Sequence, residues 1–225
     1  MRRLWLGFVP YIAVSLVHVT ALAVGATAIA EPTKLALMPL LVVAVVWGVS
    51  GSGWTRAHTL LVAALGLSWL GDGAGAFLPW LPTVPAMLLF FGLAHLCYIW
   101  LFWRMLAVRR VPPWAAVYAL WWIALLAVLW PHLGGLAVAV ALYGLVLGGT
   151  AVAASRCHPL VVWGGVFFLA SDSVLAFRLF LPDAMPDWTS PLVMLTYCLG
   201  QSLIAAGVLV SVRARRPIPT PVVTT

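Results

Sequence analysis

The stretch Ser68-Trp-Leu-Gly-Asp72-Gly-Ala-Gly-Ala-Phe77 sets a carboxylic acid deep inside an apolar run, and one hundred residues later Phe168-Leu-Ala-Ser-Asp172-Ser-Val-Leu-Ala-Phe177 does so again. In both copies small residues flank the aspartate, and Ala-Phe follows four residues on. A carboxylate at the centre of a membrane helix costs roughly 2.5–3.5 kcal/mol on insertion scales. Two such acids in one chain therefore point to a working site. The plainer reading is a pair of protonated aspartates that bond between helices as packing glue.

Composition makes the surrounding runs membrane spans. Of 225 residues, 64% are hydrophobic and 8% charged, and the mean hydropathy is +1.11. A soluble domain of this size does not carry such a composition. The runs are long and continuous, where a β-barrel would show short alternating segments. The net charge of +7 comes from eleven arginines and one lysine. In a membrane protein that charge reports orientation and contact with anionic lipid, so no nucleic-acid partner is expected. Cys97, Cys157 and Cys198 show no CxxC spacing and read as small packing residues.

Pro, Gly and Arg punctuate the runs into eight predicted helices: about Leu4–Ile29, Leu35–Ser50, His58–Phe77, Ala86–Leu106, Trp114–Trp130, a sixth ending near Ala154, Leu160–Leu181 and Ser190–Val212. The segment Glu31-Pro-Thr-Lys34 reads as a turn before the second helix. Short loops imply one eight-helix domain over residues 1–212, with a basic, Pro-rich tail over 213–225. The first run is about 25 residues, longer than the roughly 7–15 of a signal-peptide core, so it reads as a retained helix.

Charge orients the bundle. With the N-terminus in the cytoplasm, Arg2, Arg3, Arg56, Arg104, Arg109, Arg110, Arg156, Arg213, Arg215 and Arg216 all fall inside, and only Lys34 and Arg178 fall outside. That is a strong positive-inside bias, and it needs an even number of spans with both termini cytoplasmic. Asp72 and Asp172 each lie fourteen residues beyond a histidine, His58 and His158, about 21 Å from the cytoplasmic end of helices three and seven. The spacing fits a parallel four-plus-four repeat about an axis along the membrane normal. Tyr98 and Tyr197, ninety-nine residues apart, extend it.

Other polar groups fall in the same outer half. His95 and Tyr98 share a face of helix four, and Tyr197 and Gln201 share a face of helix eight. Helix six offers Tyr143, helix seven Ser171, helix one Ser15 and His18, and helix two Lys34. Singly each reads as interhelical glue; together they read as a pocket. Helices three, four, seven and eight are expected to surround a cavity open toward the outer leaflet, lined by His95, Tyr98, Tyr197 and Gln201. The histidines show no HxxxH or HExxH spacing, so no metal is expected, and GxSxG and P-loop motifs are absent. Gly71 and Gly75 form a GxxxG that reads as close helix packing.

These residues resemble the lysoplasmalogenase (YhhN-like) family of integral membrane proteins. The resemblance is carried by Thr33-Lys34-Leu35 with Met38, Gly66-Leu-Ser-Trp-Leu-Gly-Asp72, Phe91-Gly-Leu-Ala-His95-Leu-Cys-Tyr98 and Tyr143-Gly144. It continues through Gly164-Gly-Val-Phe-Phe-Leu-Ala-Ser-Asp172-Ser and Tyr197-Cys-Leu-Gly-Gln201-Ser-Leu-Ile204. The family's usual Lys-Pro stands here as Lys34-Leu35. The resemblance implies eight spans in the cell membrane and hydrolysis of the vinyl ether bond of lysoplasmalogens, with no metal or organic cofactor. The products are a fatty aldehyde and a glycerophospho-ethanolamine or -choline. It implies Asp72 and Asp172 as catalytic residues, and Lys34, His95, Tyr98, Tyr143, Ser171, Tyr197 and Gln201 as a substrate pocket.

The chemistry suits two carboxyls. A vinyl ether hydrolyses when its β-carbon is protonated and water captures the resulting oxocarbenium ion. One acid must keep its proton near neutral pH, and a second carboxylate must steady the cation and activate water. Neighbouring carboxyls in low dielectric do not both ionise, and glycosidases meet a related oxocarbenium problem with such a pair. A small lipid transporter or flippase, and a non-catalytic lipid-binding protein, are the other readings a parallel repeat with midmembrane acids allows. Membrane lipids and a lysophospholipid are the expected partners; the sequence sets no oligomeric state.

Overall fold

The computed structural model describes residues 5–50 and 53–215. Among these it is all helix, without strands, as the long apolar runs require. Its long helices are α1 (Val9–Ala23), α2 (Thr27–Val49), α3 (Arg56–Asp72), α4 (Thr83–Trp100), α5 (Val117–Leu129), α6 (Ala137–Ala154), α7 (Pro159–Phe180) and α8 (Thr189–Ala214). Six helical stretches are long and apolar enough to cross a membrane: α2, α4 with its widened last turn to Leu106, α5 and α6 with their flanking turns, α7 and α8. The remaining two, α1 and α3, have 15 and 17 residues. Leu4, Gly51-Ser52 and the Pro-rich residues 217–221 of the expected scheme lie outside the described residues, and the helix that was to end at Val212 runs on to Ala214.

Outward faces are apolar, with Leu16, Leu120, Val138 and Leu142 each 60% exposed or more. Such a surface matches hydrocarbon, not water. The best-buried helix is α8, sheathed by α7, α1, α2 and α3. Glycines let α7 and α8 touch backbone to backbone. A methyl on Gly164 would come within 2.8 Å of the Ile204 nitrogen, and one on Gly200 or Gly207 within 2.9 Å of the nitrogens of Phe168 or Val161. This is the small-residue packing by which membrane helices associate without a hydrophobic driving force. By contrast α5 sits at the rim, tied in by the Trp121 indole on Ser173 Oγ at 2.9 Å and the Trp122 indole on Ala141 O at 3.0 Å.

Two element boundaries differ from the sequence-based expectation, and both place site residues. The reversal after α1 falls at Gly25, whose φ of +71° only glycine adopts cheaply. Glu31-Pro-Thr-Lys34 is therefore helix, not turn. Pro32 is carried inside α2, and the Thr33 hydroxyl reinforces its turn on Ile29 O at 2.6 Å. At the other boundary α3 stops at Asp72 rather than Phe77. Gly73 ends it, and a single helical turn, Ala74–Phe77, folds the Phe77 ring back onto Trp69 with centroids 4.7 Å apart. Trp69 in turn donates to Leu35 O at 2.8 Å, which fixes α3 against α2.

Candidate active site

Asp72 is the last residue of α3, its side chain only 6% exposed. A helix C-terminus carries the negative end of the helix dipole, so a carboxylate there needs outside help. Two neighbours supply it. Tyr197 of α8 donates to Oδ2 at 2.8 Å, and Lys34 Nζ of α2 lies 3.9 Å from Oδ1. Because Lys34 is helical, about two turns into α2, its ammonium reaches the acid while its side chain stays about one-third exposed.

The bonding continues inward from Tyr197. Gln201, one turn along the same face of α8, sends Nε2 to the Tyr197 oxygen at 3.3 Å and to Ser68 Oγ at 3.2 Å. Its Oε1 accepts the Tyr98 hydroxyl of α4 at 2.6 Å. Ser68 precedes Asp72 by four residues on α3, so both project toward α8.

Asp172 lies inside α7 and anchors a second group. The Tyr143 hydroxyl of α6 donates to its Oδ2 in a close contact. His95 Nε2 of α4 is 3.8 Å from the same oxygen and 3.4 Å from the Tyr143 hydroxyl. The other face of the imidazole is fixed, with Nδ1 3.1 Å from Thr150 Oγ1. The Thr150 hydroxyl donates to Val146 O at 3.0 Å, so Oγ1 is left to accept and Nδ1 carries a hydrogen. Nε2 then faces Asp172 Oδ2 and the Tyr143 hydroxyl, so acid, imidazole and phenol form one contiguous polar trio.

Phe168 joins the two groups. Its buried ring meets His95 edge-on at 4.8 Å and Tyr197 at 5.4 Å, with Phe91 packed against both Phe168 and Tyr197. A cavity of about 40 Å³ borders Asp172 and Tyr143 and is otherwise walled by apolar residues of α4, α6 and α7, among them Leu88, Phe91 and Val140. One water occupies roughly 10–15 Å³ on this measure, so there is room for two or three beside the carboxyl.

The expected pocket is thus corrected. His95, Tyr98, Tyr197 and Gln201 do converge, but they are buried in a closed hydrogen-bonded core, and the open space lies between α4, α6 and α7 instead. Their polar atoms are spent on one another and on Ser68, Asp72, Tyr143 and Thr150. Ser171 points away from the acids and ties α7 to α8 through Val193 O at 2.9 Å. His18 joins α1 to α2, 3.0 Å from Ala30 O and Thr33 Oγ1. His58 and His158 cap the starts of α3 and α7. Among the described residues no three His, Cys, Asp or Glu side chains gather to hold a metal ion. Sequence reasoning passed over Ser68, Thr150 and Phe168; the four-residue spacing of Ser68 to Asp72 was the available signal.

The acids also pair asymmetrically. Tyr197 serves Asp72, yet its counterpart Tyr98 serves Gln201, and Asp172 takes its phenol from α6. The model of the YhhN family matches residues 30–208 of this chain, from the second turn of α2 almost to the end of α8. No curated protein and no solved structure matches it.

Proposed function

The chain belongs to the YhhN family, the lysoplasmalogenase-like family, and from that premise we propose that it is a membrane-embedded hydrolase cleaving the vinyl ether bond of lysoplasmalogens. One observation carries the reading: Asp172, bonded by Tyr143 and beside His95, borders a cavity with room for water inside an apolar bundle. All eight helices cross the membrane in this proposal. At about 1.5 Å per residue α1 and α3 reach about 22 and 26 Å, and the turn Ala74–Phe77 extends α3 toward the surface.

The substrate's vinyl ether enters the cavity with its β-carbon against Asp172. The trio delivers its proton there, and the enol ether C=C becomes a C–H bond and an oxocarbenium ion. In this proposal Asp72, with Lys34 3.9 Å from Oδ1 and Tyr197 on Oδ2, supplies negative charge across the aromatic partition, of the kind preorganised sites aim at developing charge. A cavity water then adds to the cationic carbon and returns its proton to the trio. The hemiacetal collapses to aldehyde and glycerophospho-alcohol, and no proton is gained or lost overall. The Lys34 ammonium, on a side chain about one-third exposed, also stands where an anionic headgroup would arrive, while the alkenyl chain stays among apolar helices.

The test is purified protein in lipid nanodiscs given lysoplasmalogen, with aldehyde followed by a coupled dehydrogenase. Aldehyde from the vinyl ether, and none from the saturated alkyl ether, is expected. A transporter or a passive lipid binder would bind both lipids and release nothing, and that outcome would overturn the reading.

A further inference from the structure

We propose that the outward-facing groove between α4 and α6 binds the hydrocarbon chain of a single-chain lipid and is the lateral entrance from the bilayer to Asp172. The groove encloses about 450 Å³, within the range of ligand pockets. On α4 it runs from Pro85 to Leu96, about 16 Å along the helix, against Ala139 to Val146 of α6. Leu89, Leu96 and Leu142 line it and are each more than half exposed, so it opens onto lipid. Every residue that lines it belongs to α4 or α6, so a single chain lies along one slot between two neighbouring helices.

Its link to the acid is what selects it. Leu88 and Tyr143 line both this groove and the 40 Å³ cavity. The partition between membrane and carboxyl is therefore a single layer of side chains, and one of the two holds Asp172 by its hydroxyl. Gly92 keeps the groove floor open beside the Tyr143 ring, since a methyl there would meet only that ring, at 4.0 Å. Rotation of Tyr143 off Asp172 joins groove and cavity, which makes Tyr143 a gate as well as a proton donor. A larger groove of about 680 Å³ between α4, α5 and α6, around Trp103, Trp122 and Gly148, shares no wall with the cavity. Size alone would choose it, and connection to the acid does not.

The inference takes its reacting substrate from the hydrolase reading, so the experiment has one arm that needs no turnover. The full chain in nanodiscs is photolysed with a lysophosphocholine whose chain ends in a diazirine, and adducts are mapped by mass spectrometry. Adducts concentrated at 85–96 and 139–146, and chased by unlabelled lysolipid, are expected. Adducts centred on Trp103, Trp122 and Gly148, or spread over every lipid-facing helix, would overturn the proposal even if aldehyde is released. In the second arm Gly92→Leu fills the groove and Gly66→Leu, at an open position on α3, is the control. Gly92→Leu should raise KM for a long-chain lysoplasmalogen about tenfold, the effect of displacing about two methylenes from an apolar site. A short-chain vinyl ether should be cleaved normally. Leu142→Trp blocks the same groove from an exposed position and should behave alike. Unchanged KM in both folded groove variants, or equal loss on both substrates, would refute the entrance.

Discussion

Asp72 and Asp172 stand out because an acid in an apolar run is an exception that sequence alone displays. Their partners do not stand out, since nothing along the chain says that Tyr143 meets Asp172 while Tyr98 meets Gln201; that pairing is decided by how α4, α6 and α8 are rotated. Asn preserves shape and bonding but removes the titratable proton. Asp172→Asn and Asp72→Asn should each lower kcat by about 10²–10⁴, the usual scale for one general acid or base, with melting temperature intact. The double variant should be scarcely worse than the worse single one, because groups acting as a unit are not additive. Near-normal turnover in both would leave the acids as glue between helices. Tyr143→Phe loses the hydroxyl on Asp172 but keeps the ring, so it should lower kcat while leaving KM for the long chain within about twofold, the signature of an interaction made only in the transition state.

At the scale of elements, the hydrophobic runs placed the helices to within a few residues, and the errors fell where glycine outranked proline. Pro32 looked like a break, yet a proline inside a membrane helix is tolerated when neighbours satisfy the freed groups. Gly25 and Gly73, less conspicuous in sequence, do the turning. The same residue type sets the α7–α8 contact. Gly200→Val should force these helices apart at Phe168 and cost about 1–3 kcal/mol, as overpacking does. Thermal unfolding read on folded, detergent-solubilised protein should show the drop in Gly200→Val and none in Gly66→Val, whose side chain meets open space. Because Phe168, Tyr197 and Gln201 ride on that seam, any activity left in Gly200→Val should be lower than its stability loss explains.

For the whole molecule, charge separates the ends. Arg109 bonds Ser155 O at 2.8 Å, Arg156 bonds Arg109 O and lies 4.2 Å over the Trp103 ring, and Arg213 and Arg215 reach the carbonyls of Gly48, Met105 and Ala107. This basic end stands opposite the α7–α8 turn that holds Asp183 and Asp187. A fluorescent reporter fused after Thr225, and a cysteine in the 107–112 loop probed with an impermeant thiol reagent, should both read cytoplasmic. A periplasmic or extracellular reading for either would remove the even-span orientation proposed above.

The central position of α8 also has a temporal side. Its Arg213 closes on Gly48 across 165 residues of chain, an interval of roughly ten to thirty seconds at ribosomal speed. Once α2 and α3 are made, the slot that α8 fills stays vacant and Asp72 lacks its phenol until Tyr197 emerges. On the proposed mechanism the nascent protein is inert until its last helix is made. A ribosome that stalls after Asp187 leaves a fragment whose Asp72 lacks its Tyr197 bond, and pulse-chase labelling of such a truncation should show faster turnover than the full chain.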